Sequence, residues 1–128
     1  MDTLTLTLAF IDPDLDAEER ETLAQRILQD FQEMEEVESA GRVPDLNPPE
    51  GSKAFAGFLV GLLTAEVSVA NSKRLLSFLG QRLSNQPIEL SLEAHGKKLT
   101  VKASSQEEFA FAMQQAQAFL EETGDRAE

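Results

Sequence analysis

Residues 3–10 read TLTLTLAF, with Leu4, Leu6, Leu8 and Phe10 at even positions and Thr3, Thr5, Thr7 and Ala9 at odd ones. Successive side chains of a strand point to opposite faces, so this alternation specifies a strand buried on one side and wet on the other. A chain that begins so needs a sheet with a covered face and an open face.

Asp12-Pro13-Asp14 ends the strand, and Asp16 followed by Glu19 has the spacing of a helix capping box. Leu23, Ile27, Phe31 and Met34 then form a stripe at helical spacing, while Glu18, Arg20, Glu21, Gln25, Gln29, Glu33 and Glu36 are expected in water. The helix should run to about Glu36. Residues 37–44 place Val37, Ser39, Gly41 and Val43 on one face, a short second strand that stops at Pro44. Residues 45–52, rich in Asp, Asn, Pro and Gly, should be a loop and the one obvious linker in the chain.

Residues 54–70, AFAGFLVGLLTAEVSVA, carry one charge, Glu66. A membrane span needs about 20 apolar residues and tolerates Glu66, Thr64 and Ser68 poorly, so the segment is expected as a central helix covered by protein, with Gly57 and Gly61 allowing close backbone approach. Asn71 is expected to cap a further helix striped by Leu75, Leu76, Leu79 and Leu83. Residues 88–94 and 99–103 alternate again, joined through His95-Gly96-Lys97 as a hairpin. Ser105 and Glu108 open a last helix carrying Phe109, Ala112, Met113, Ala116, Phe119 and Leu120.

The expected architecture is α+β, a sheet of about four strands with helices mainly on one face, in the order βαβααββα. Residues 1–123 form one domain and 124–128 a frayed tail. At 128 residues, folding buries roughly two thirds of the unfolded chain's surface, enough for a core without cross-links. The open sheet face would present Thr3, Thr5, Thr7, Glu89, Ser91, Glu93, Thr100 and Lys102 to solvent or to a partner. The acidic run EMEEVE, with Glu35 and Glu36, is a second candidate docking patch for a basic partner.

Chemistry has little foothold in this composition. Without cysteine there is no thiolate nucleophile, disulfide or cysteine-held metal, and His95 is the one imidazole. It lies beside a turn glycine, where a solvent-exposed side chain is expected. Asp12, Asp14 and Asp16 imitate the start of a calcium loop, but Ala17 and Leu23 stand where that loop needs Gly and Glu. Charge at a helix start explains them better. No phosphate-binding, hydrolase or zinc motif occurs. No catalytic residue, cofactor or metal is expected. A formal net charge of −12 disfavours nucleic acid, and the acidic, alternating N-terminus is unlike a signal peptide, so a cytoplasmic location is expected.

The order of elements, with VPDLNPPEG after the short strand, SKAFAGFLVGLL in the apolar segment and IELSLEAHGKKLTVKAS as closing hairpin, resembles the effector-associated constant component family of bacterial conflict systems. Gly51, Gly57, Gly61 and Gly96 carry the match. The resemblance spans nearly the whole chain and implies a small non-enzymatic adaptor, associated with caspase-like or trypsin-like proteases or nucleotide-switching proteins. It assigns no catalytic residue. The expected partner is thus a protein, self-association being compatible with that role; neither nucleic acid nor a membrane span is expected. The competing readings are an accessory subunit or an enzyme of unfamiliar type using Asp or Glu with His95.

Overall fold

The computed structural model describes residues 3–44, 58–83 and 86–126. Along the chain run β1 (Thr3–Phe10), α1 (Ala17–Glu33), β2 (Val37–Pro44), β3 (Phe58–Ser68), α2 (Val69–Leu83), β4 (Ile88–Ala94), β5 (Lys97–Ala103) and α3 (Gln106–Arg126). The strands form one antiparallel sheet in the order β2-β3-β1-β4-β5. The alternating first strand is its central strand.

The α+β class is as expected, but the sheet has five strands and the order is βαββαββα. Residues 58–68 are β3, not part of a helix. Leu63, Ala65 and Val67 are buried while Leu62, Thr64, Glu66 and Ser68 take the other face. That period of two fits the two neighbours β3 has, β2 and β1. Residues 54–57 of the expected helix, and the whole of the 45–52 loop, lie outside the described residues. No described helix is long and apolar enough to cross a membrane.

Other boundaries move slightly. α1 ends at Glu33, because the Met34 N–H bonds the Phe31 carbonyl and the Val37 N–H the Met34 carbonyl, turning the chain directly into β2. α2 begins at Val69, where the Ser68 hydroxyl accepts from the Asn71 N–H, so Ser68 rather than Asn71 does the capping. Asp16 does cap α1 through a complete box with Glu19, at 2.8 and 3.1 Å. Helix α3 continues to Arg126.

One face of the sheet meets the helices. Leu4, Leu6, Leu8 and Phe10 of β1 and Ile88, Leu90 and Leu92 of β4 are all buried, as are Ala24, Ile27 and Phe31 of α1 and Leu75, Leu76, Leu79 and Leu83 of α2. Each large side chain so buried contributes about 1.5–3 kcal/mol. α3 adds Phe109, Ala112, Ala116 and Leu120, covering β5 and packing on α2. The opposite face has no helix among the described residues.

Candidate interaction surface

The uncovered face is assembled by strand register. Thr5 pairs with Glu66 and Glu93, Glu66 with Ser39, and Glu93 with Lys98, giving one row across all five strands. A second row joins Gly41, Thr64, Thr7, Ser91 and Thr100. A third joins Leu62, Ala9, Glu89 and Lys102. The expected set Thr3, Thr5, Thr7, Glu89, Ser91, Glu93, Thr100 and Lys102 therefore lies on one face, with Ser39, Leu62, Thr64, Glu66 and Lys98 as members the sequence reading missed. Those on β3 were missed because that segment was read as a helix.

The face is held by its own short polar contacts. Ser91 and Thr100 hydroxyls are 3.1 Å apart across β4 and β5, Lys102 reaches Glu89 at 3.5 Å, and the Thr64 hydroxyl donates to the Leu6 carbonyl at 3.1 Å. Thr5, Thr7, Ser91, Glu93 and Lys98 line a shallow depression of about 110 Å³ at its middle. Short β-branched and hydroxyl side chains keep the surface flat, and opposite charges line up across strands. Such a surface offers donors and acceptors in a regular array.

Glu35 and Glu36 do not belong to it. They follow α1 in the turn to β2, and Glu36 pairs with Arg74 of α2 at 3.5 Å, on the helix side of the molecule. The two candidate patches are separate surfaces. Nor do the candidates for chemistry converge. His95 is exposed on the β4–β5 turn with φ +54°, followed by Gly96 at φ +74°, the conformation of a two-residue type I′ hairpin. Asp12 accepts from the Asp14 N–H at 2.9 Å and Asp16 is the cap of α1, so both act in local turns. Among the described residues no three His, Asp or Glu side chains are grouped to hold a metal.

One ionic site was invisible in the sequence reading, which left Glu21 in water. Glu21 of α1 is buried against Arg42 of β2, their side chains 6% and 7% exposed, in a two-pronged ion pair. The Arg42 Nε also donates to the Leu62 carbonyl at 2.9 Å. The Gly61 N–H donates to Glu21 at 3.3 Å, and the Gln25 amide does so at 3.2 Å. The Arg42 guanidinium holds the Glu21 carboxyl below the usual carboxylate range, against the opposing effect of burial. Gly61, at φ +70°, lets its strand come close to Arg20 of α1. The site ties the edge strand β2 to the helix layer and so keeps the sheet's outer rows in place. Its signal was Arg42 itself, the one cation of β2, two residues before a proline.

No family model, curated protein or solved structure matches the chain. Fold and surface alone define the class: an α+β domain with three helices on one face of a five-stranded antiparallel sheet and a flat polar face on the other.

Proposed function

We propose that this chain is a non-enzymatic protein-interaction module, an adaptor that docks an effector through the open face of its sheet. The observation that supports the reading is that face itself, where cross-strand rows of Thr, Ser, Glu and Lys run over five strands with no helix upon them among the described residues. A sheet buried on one side is stable with its other side in water, so this surface is free to be used for recognition. Its paired charges give register and partner choice more than raw affinity. By the family resemblance, the partner is a caspase-like or trypsin-like protease or a nucleotide-switching protein acting in bacterial conflict, inside the cytoplasm.

The test is affinity capture from the native host with the wild-type chain beside a Thr7→Arg/Ser91→Arg variant, which fills the central depression without touching the core. The reading expects a specific protein retained by wild type and lost by the variant, with unchanged circular dichroism. Equal recovery by both chains, or nothing specific with either, overturns it.

A further inference from the structure

The five-strand order leaves β2 and β5 as edges, and among the described residues neither pairs with a further strand. One is basic, and the other is entered through an acidic turn. β5 reads KKLTVKA, so three of the chain's 11 basic residues stand on one edge strand of a molecule with formal net charge −12. β2 contains Glu38 and Arg42, the latter paired with Glu21, and is entered through Glu33, Glu35 and Glu36, of which Glu36 pairs with Arg74.

Register decides whether those charges can meet. Neighbouring strands are antiparallel throughout, so the first and last of the five run in the same direction. A second copy displaced sideways in the plane of the sheet brings its β2 alongside β5 in parallel, with the helices of both copies on the same side. The row Ser39–Glu66–Thr5–Glu93–Lys98 crosses the sheet at one level, Lys97 stands one residue earlier on β5, and on β2 Glu38 is the extra residue where the register with β3 shifts between Val37 and Ser39. The acidic start of β2 therefore falls level with the basic start of β5. Symmetric pairing of the basic edge is opposed, since two β5 edges meeting antiparallel about Thr100 set Lys98 against Lys102 of the other copy, while two β2 edges meeting antiparallel hold their glutamates at opposite ends and bring no lysine to them.

We propose that copies of this chain associate head to tail, β5 of one copy on β2 of the next, as one extended mixed sheet. Such an interface is heterologous, so it grows into a ring or filament and does not close as a two-fold dimer. Edge N–H and C=O groups that no described strand takes up supply the pairing, and the Lys–Glu complement sets its direction. The proposal is independent of the adaptor reading and goes beyond it, since assembly leaves the open face of every copy available.

Sedimentation velocity tests it, on the wild-type chain up to about 1 mM, in about 0.02 M and about 0.5 M salt. The expected result is concentration-dependent growth past the dimer at low salt, suppressed at high salt. The variants Lys97→Glu/Lys98→Glu and Glu35→Lys/Glu38→Lys, each shown folded by circular dichroism, should each weaken association roughly tenfold or more. Mixing the two in equal amounts should restore it. A wild-type chain that stays monomeric throughout, in which case the lysines only guard the edge, overturns the proposal. So does a closed dimer, growth indifferent to both variants, or a mixture that fails to recover.

Discussion

Removing Glu21 alone and removing it together with Arg42 should have different consequences. In Glu21→Ala the Arg42 guanidinium, with its side chain 7% exposed, loses both bonds to the Glu21 carboxylate. Breaking a buried pair from one side costs about 3–5 kcal/mol, because the buried charge loses the carboxylate it is packed against. In a domain of this size a loss of about 3 kcal/mol corresponds to a fall in Tm of about 10–15 °C. In Glu21→Leu/Arg42→Met no charge stays buried, and exchanging a pair for apolar groups is by itself close to neutral. The Gly61 N–H and Leu62 carbonyl still lose their partners, at about 1 kcal/mol each. The double variant should therefore be about 2 kcal/mol less stable than wild type and more stable than the single one. Urea unfolding monitored by circular dichroism reads both numbers. A cost below about 1 kcal/mol for Glu21→Ala, the value of a solvent-exposed pair, would refute the reasoning.

The same site predicts acid lability. The folded-state pKa of Glu21 is lowered, so its stabilisation is fully present above the ordinary Glu value near 4.5 and is lost as pH falls through the lower folded value; the stability gap between wild type and Glu21→Gln, measured by urea unfolding, should shrink below about pH 4.5. Gly61→Ala places a Cβ 3.2 Å from the Arg20 Cβ at φ +70° and should cost about 1–3 kcal/mol in the same assay, with β2 loosening first in hydrogen exchange. His95→Asn, which suits the left-handed first position of the β4–β5 turn, should raise stability by about 0.5 kcal/mol in the urea assay and leave partner capture unchanged. A loss of capture in that variant would revive a role for the imidazole.

The strands that alternate strictly were legible, β1, β4 and β5 above all, because a half-buried strand writes its two faces into every second residue. The capping box at Asp16 was equally readable, being a local bond pattern, and at Ser105 one half of the expected box forms, the Glu108 N–H donating to the Ser105 hydroxyl while the Glu108 carboxylate accepts from the Ser104 N–H. β3 was misread for a physical reason. An apolar stretch paired on both sides carries few polar residues, and before position 62 its composition alone does not separate a buried strand from a buried helix. The distinguishing signal was present in Thr64, Glu66 and Ser68 at every second position, opposite Leu63, Ala65 and Val67. Most of the candidate face followed from β1, β4 and β5, whereas the place of β3 and β2 beside them depended on long-range pairing that no local pattern encodes. The Glu21–Arg42 pair was hidden likewise, since its two residues lie 21 positions apart and each alone resembles an ordinary surface charge.

The central claim is that the open sheet face is the working surface of the molecule. Its most direct test compares proteins captured from the native host by the wild-type chain and by Thr7→Arg/Ser91→Arg at equal expression. The account predicts a protease or nucleotide-switching protein recovered with the first and absent from the second, the two baits having the same melting temperature within about 2 °C, the scale of a surface substitution. Recovery of the same protein by both baits would contradict it.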